Sequence, residues 1–223
     1  MIRYETRKDL MTGLAAQVMG ELTAVLDQKP HATLAVPGGT TPGPFLQALS
    51  EAPLDWARIR VMLTDERFVP ESSDRSNTRL LRKTLLVGRA AKATLVPFYK
   101  EADAPEDVLG ALSEVITEAL PLDVCVLGMG ADMHTASIFP GADRLQDALA
   151  EDAPPLVPMR APGAPEPRLT LTAPVLATAR HLHILIQGDE KAEALDQARA
   201  AASPVEAPVR IALDAGARIH WAP

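Results

Sequence analysis

Two periodicities alternate along this chain, and their alternation restricts the fold more than any other feature. Short, almost wholly apolar runs stand at Thr33–Val36, Ile59–Leu63, Leu122–Leu127 and His181–Ile186. Between them, apolar residues recur every three or four positions, as on one face of a helix. The clearest such face is Leu10, Leu14, Val18, Leu22, Val25 and Leu26, which predicts a helix over Arg7 to Gln28. A run that is apolar throughout suits a strand covered on both sides, and a helix between successive strands returns the chain for parallel pairing. The expectation is an α/β fold with a mainly parallel β-sheet and helices on both faces. With 223 residues, the chain is expected to form one such domain over 1–223.

The connecting segments refine this layout. Pro42 to Glu51 reads as a helix, with Thr41 as N-cap and Pro42 at the first helical position. Thr64 to Asp74 reads as a loop, followed by a helix over Arg75–Val87 whose basic face carries Arg79, Arg82 and Lys83. Thr94–Pro97 suits a short strand and Pro105–Ala119 a helix. Six prolines in 151–167 predict a surface loop with a brief strand at Leu156–Met159. Arg168–Thr172 is extended, Val175–Thr178 a helical turn and Asp189–Ala202 a helix. Val209–Leu213 and Arg218–Trp221 read as terminal strands.

Charge and composition exclude several partners. A formal net charge of −7 gives no general attraction to nucleic acid or to an anionic membrane. Aromatic residues make up 4% of the chain, too few for a base-stacking surface. No segment has the length and continuity of a membrane helix, and Met1–Asp9 lacks the apolar stretch of a signal peptide. Cys125 is the single cysteine, so no intrachain disulfide can form. A cytoplasmic protein that is a monomer or weak homodimer is expected.

In a parallel sheet, ligands bind beyond the carboxyl ends of the strands. Three turns fall there. In Val36-Pro-Gly-Gly-Thr-Thr-Pro42, Gly38 and Gly39 free the backbone to aim N–H groups at an anion, and Thr40 and Thr41 add hydroxyl donors. Either this is a phosphate cradle or it is an ordinary strand-to-helix turn; the lysine of a Walker A loop is absent. In Thr64-Asp-Glu-Arg-Phe-Val-Pro70, Arg67 suits a phosphate while Asp65 and Glu66 suit substrate hydroxyls, unless the charges are simply solvated. In Gly128-Met-Gly-Ala-Asp-Met-His-Thr-Ala-Ser137, Asp132 and His134 leave a glycine turn two residues apart. A carboxylate that orients an imidazole improves it as a base.

Other reactive residues have plainer readings. Cys125 lies within an apolar strand as a small core residue. His181 and His183 share a strand face but lack a third metal ligand, which favours a structural role. Lys191, at the start of a helix beyond a strand, either reaches a phosphate or sits in solvent, and Arg168 is equally open.

Together these segments resemble the 6-phosphogluconolactonase family over nearly the whole chain. Pro37-Gly-Gly-Thr-Thr-Pro42 is similar to the family's Ser-Gly-Gly-Ser-Thr-Pro loop, and Thr64–Pro70 with Ser76-Asn77 to its Asp-Glu-Arg segment. Leu127-Gly-Met-Gly-Ala-Asp-Met-His-Thr-Ala-Ser-Ile-Phe-Pro-Gly141 resembles its longest signature, Leu-Gly-Met-Gly-Pro-Asp-Gly-His-Thr-Ala-Ser-Leu-Phe-Pro-Gly. Arg168–Thr172 and Gly188-Asp-Glu-Lys191 resemble two later elements. Two departures stand out: Met133 replaces a glycine, and Pro37 replaces a serine.

The resemblance implies hydrolysis of 6-phospho-D-glucono-1,5-lactone to 6-phosphogluconate in the pentose phosphate pathway, with no cofactor and no metal. It implies His134 and Asp132 as the catalytic pair. Gly38, Gly39, Thr40, Thr41, Asp65, Glu66, Arg67, Asn77, Arg168 and Lys191 would bind the substrate and its phosphate. A glucosamine-6-phosphate deaminase shares similar loops but needs an acid shortly after the histidine, and here none occurs before Asp143. A non-catalytic sugar-phosphate sensor is the other alternative, and the sequence before Thr33 leaves no room for a helix-turn-helix.

Overall fold

A computed structural model describes residues 1–223. Seven strands form one parallel sheet: β1 (Ile2–Arg3), β2 (Ala32–Val36), β3 (Ile59–Leu63), β5 (Thr94–Leu95), β6 (Val124–Leu127), β9 (His181–Gln187) and β10 (Arg218–Ala222). Their order is β1-β10-β9-β6-β2-β3-β5. A second, antiparallel sheet of three strands contains β4 (Asp65–Arg67), β7 (Leu156–Met159) and β8 (Arg168–Leu171), in the order β4-β8-β7. The helices are α1 (Arg7–Leu26), α2 (Gly43–Ser50), α3 (Asn77–Thr84), α4 (Leu109–Ala119), α5 (Leu145–Leu149), α6 (Ala173–Ala177), α7 (Asp189–Ala200) and α8 (Arg210–Asp214).

The apolar runs become the central strands because each is covered on both sides: every residue of β2 and β6 is buried. Helix α1 starts where Thr6 caps it, its hydroxyl accepting from the Asp9 N–H at 3.1 Å. Its apolar stripe packs toward β2, β6 and β10. The strands and helices share one hydrophobic cluster of 59 buried residues, so the expected single α/β layout holds. No helix is long and apolar enough to cross a membrane.

The strand order fixes the place of the cleft. From β2 the chain moves outward through β3 to β5, then crosses back to β6 on the other side of β2. Connections leave the carboxyl ends of β2 and β6 in opposite directions, opening a crevice between them. The Pro37–Pro42 and Gly128–Ser137 turns emerge there.

Four local expectations are corrected. The stretch read as a loop after Thr64 contains β4, which pairs with β8 far along the chain. Val209–Leu213 enters helix α8 rather than a strand; a short apolar run following Pro208 fits a buried helical turn equally well. Helix α2 takes Pro42 as its N-cap and makes no side-chain capping bond, so Thr41 is not the cap and its hydroxyl stays available. The helix expected from Arg75 begins at Asn77, because Ser76 caps it.

The strand histidines are structural. His183 is fully buried, with Nε2 2.7 Å from Glu21 Oε2 and Nδ1 3.1 Å from His220 Nε2. The Tyr4 hydroxyl lies 2.9 Å from His220 Nδ1. This chain joins α1, β9, β10 and the N-terminal segment, and it occupies both ring nitrogens of His183. Cys125 is fully buried in β6, where burial pushes its thiol up.

Candidate active site

The cleft has a volume of about 320 Å³ and is lined from all three turns, with further residues from β9, β8 and α7. Ten of the twelve sequence-based candidates stand on its wall together: Gly38, Gly39, Thr40, Thr41, Asp65, Arg67, Asn77, His134, Arg168 and Lys191. Asp132, which is exposed, and Glu66, which is buried, do not line it.

The first turn is shaped by its glycines. Gly39 adopts φ 88°, a left-handed conformation that favours glycine. A Cβ on Gly38 would lie 2.0 Å from Asn77 Cγ, so only glycine lets this loop close over the Asn77 side chain. Asn77 donates through Nδ2 to the Asp65 carbonyl at 2.9 Å, which fixes the side chain that the first turn packs against.

The second turn separates its three charges by strand alternation. In β4, Asp65 and Arg67 point to one face and Glu66 to the other. Asp65 faces the cleft, where its Oδ2 accepts from the buried Ser137 hydroxyl at 2.6 Å. Glu66 turns away and receives the N–H groups of Asn77 and Thr78, each at 2.7 Å, and the Thr78 hydroxyl at 2.7 Å. It holds the N-terminus of α3 and does not line the cleft. Burial pushes its carboxyl above the ordinary value against the pull of these donors.

The third turn is the tightest. The Gly130 N–H bonds the His134 carbonyl at 2.9 Å, and the Met133 N–H bonds the Gly130 carbonyl at 3.1 Å. A Cβ on Gly130 would lie 2.2 Å from both Asp132 Oδ1 and His134 Nδ1. Met133 takes φ 65° and Ala136 φ 49°, so the residue replacing the family's glycine does sit in the left-handed region. The Val209 N–H bonds the Met133 carbonyl at 3.0 Å and supports that conformation from α8.

This turn delivers the pair foreseen from sequence. His134 Nδ1 lies 2.5 Å from Asp132 Oδ1, and Nε2 has no protein partner. The imidazole packs on the Phe139 ring, 4.2 Å between centroids. A proton held between Nδ1 and Asp132 would fix the ring and leave Nε2 without one.

Positive charge collects opposite. Arg168 is buried at the start of β8, with Nη1 3.9 Å from Asp65 Oδ2 and its Nε without a partner. Burial lowers the pKa of its guanidinium, and the neighbouring Arg67 adds to that effect. Arg67 donates from Nη1 to the Arg75 carbonyl at 2.7 Å. Lys191, in the first turn of α7, makes no ion pair within the protein.

Three contributors had no individual reading in the sequence. Ser137 anchors Asp65, Phe139 backs the imidazole, and Gln187 lines the wall at the carboxyl end of β9. Only Gln187 carried a usable signal, its position at a strand end.

A switch-point cleft that sets an oriented imidazole against clustered cations defines an α/β protein equipped for acid–base chemistry on a small anionic molecule. The chain belongs to the glucosamine-6-phosphate isomerase/6-phosphogluconolactonase family, whose model matches residues 5–221. It is 44% identical over 226 residues to a 6-phosphogluconolactonase of Rhizobium meliloti, covering 99% of this chain and 97% of that one. It is 46% identical over 213 residues to a 6-phosphogluconolactonase of Pseudomonas aeruginosa, covering 95% and 90%. The structure is similar to that of a 6-phosphogluconolactonase from Shewanella baltica, with TM-score 0.95 and 30% identity over 99% of this chain and 96% of the other. The Thermotoga maritima 6-phosphogluconolactonase matches with TM-score 0.80 and 27% identity, covering 99% and 97%.

Proposed function

We propose that this protein hydrolyses 6-phospho-D-glucono-1,5-lactone to 6-phosphogluconate in the cytoplasm, with His134 as the acid–base residue. The observation that carries the mechanism is the His134–Asp132 contact of 2.5 Å, with Nε2 left free toward the cleft.

A lactone is an activated ester, so water can attack it without a covalent enzyme intermediate. Neutral His134 takes a proton through Nε2 as the water oxygen bonds to C1. Asp132 stabilises the imidazolium that results. The tetrahedral intermediate collapses with cleavage of the bond from C1 to the ring oxygen, and the imidazolium returns its proton to that oxygen. The products are a carboxylic acid, which ionises, and a free hydroxyl group. Arg67, Arg168 and Lys191 hold the phosphate, helped by the hydroxyls and N–H groups of Thr40 and Thr41. Asp65, anchored by Ser137, accepts from a sugar hydroxyl.

The deaminase alternative lacks its second acid. Asp143, the first carboxylate after His134, accepts the Arg160 N–H at 2.8 Å and stands outside the cleft. Incubation with fresh 6-phosphogluconolactone should accelerate ring opening well above the spontaneous rate, without ammonia release from glucosamine 6-phosphate. Folded protein that leaves the spontaneous rate unchanged would overturn the proposal.

A further inference from the structure

Arg67 reaches the cleft from a segment that is tied down in two directions. The turn between Pro70 and Ser76 is laced to its own helix, with Arg82 Nε 2.6 Å from Glu71 Oε1 and Arg79 Nη2 3.0 Å from Asp74 Oδ1. One ion pair leaves this turn for the segment that leads into β8. Arg75 meets Glu166 through two parallel bonds, Nε to Oε1 at 2.8 Å and Nη2 to Oε2 at 2.9 Å. Glu166 stands two residues before Arg168, and the intervening Pro167 accepts the Phe68 N–H at 2.8 Å. The backbone carbonyl of Arg75 is also the acceptor that holds Arg67 Nη1 at 2.7 Å.

We propose that Glu166 is a positioning residue for substrate binding: its two-point grip on Arg75 fixes the carbonyl that aims the Arg67 guanidinium into the cleft. Neither Glu166 nor Arg75 lines the cleft. The paired geometry matters because a fork of two bonds sets direction as well as distance, and a single contact sets only distance. Arg75 holds the Glu166 carboxyl below its ordinary pKa, so the grip is present at neutral pH.

Charge and positioning make opposite forecasts for one variant. Glu166→Gln removes a negative charge from beside a site for an anion. Acting through space alone, that change tightens anion binding. Acting through lost positioning of Arg67, it weakens binding.

The proposal rests on the assignment of Arg67 to the phosphate. The test is steady-state kinetics on 6-phosphogluconolactone together with calorimetric titration of 6-phosphogluconate. Glu166→Gln is expected to raise both KM and the product dissociation constant about three- to fivefold, with kcat held within about twofold, as for loss of one partly exposed pair. The reversed pair, Arg75→Glu with Glu166→Arg, rebuilds the fork with its ends exchanged. It is expected to bring both constants back to within about twofold of the native values. Unchanged or tightened binding in Glu166→Gln overturns the proposal, and so does a loss that the reversed pair leaves unrepaired. The two readings fail separately. A native protein without lactonase activity sinks the function, while the titration still reports on the clamp.

Discussion

Arg67 and Arg168 are direct register partners in the antiparallel ladder between β4 and β8. Their side chains therefore leave the same face of the small sheet side by side. Like charges set opposite each other cost such a ladder on the order of a few tenths to 1 kcal/mol. Asp65, 3.9 Å from Arg168, offsets the repulsion only in part. A bound phosphate would complete the offset, so product should stabilise this protein strongly. At one hundred times its dissociation constant, 6-phosphogluconate should add about 2.7 kcal/mol. For a chain of this size that is a rise in Tm of roughly 5–10 °C. Thermal shift measurements should show most of the rise disappearing in Arg168→Gln; an undiminished rise would remove Arg168 from the phosphate site.

Gly130 leaves room for the Asp132 and His134 side chains and for nothing else. A methyl group there would stand 2.2 Å from both His134 Nδ1 and Asp132 Oδ1. Gly130→Ala should therefore force the imidazole out of line and reduce kcat by about a hundredfold, the usual order for a lost acid–base contribution. Product binding, assigned in the proposal to the other wall, should change little. A near-native kcat would show that the pair tolerates displacement.

Met133 holds φ 65° where the family has glycine. A side chain in that region costs about 1 kcal/mol relative to glycine. Met133→Ala and Met133→Gly both remove the thioether packing, so comparing them isolates the backbone. Denaturant unfolding should find Met133→Gly more stable than Met133→Ala by about 1 kcal/mol, with similar lactonase rates. Equal stability would mean that the bond from Val209 to the Met133 carbonyl absorbs the strain.

The legible parts of the fold were those with local causes. β2, β3, β6 and β9 were readable because continuous apolar runs have few destinations other than a doubly covered strand. The His134 turn was readable because glycines, a carboxylate and an imidazole are adjacent in sequence. β4 was not, since Asp65, Glu66 and Arg67 are poor strand formers and their partner β8 lies far along the chain. That miss also explains the substrate role expected of Glu66. Once β4 is known to be a strand, alternation sends Glu66 away from Asp65 and Arg67 and toward the α3 N-terminus. α8 is not legible because Val209–Leu213 is too short for its apolar pattern to distinguish strand from helix.

Acid should destabilise the protein through His220. Burial, reinforced by the charge of His183, lowers its pKa from 6.5 to about 4, so the folded state keeps the ring neutral where the unfolded chain would protonate it. The stability this represents is complete above pH 6.5 and is lost as pH falls from there toward 4, at most ~3 kcal/mol from this group and less with solvent screening. Replacing His220 with Gln should flatten the stability curve over that window. A curve with unchanged slope would place the acid sensitivity elsewhere.

In the proposed mechanism, His134, held by Asp132, supplies the acid–base step while the arginine-lined wall supplies binding. The most direct measurement is the hydrolysis rate of 6-phosphogluconolactone in His134→Ala, with 6-phosphogluconate affinity determined on the same protein. The expected result is acceleration cut by about a hundredfold or more, with product affinity within about threefold of native. Native-like hydrolysis by His134→Ala would rule out His134 as the acid–base residue.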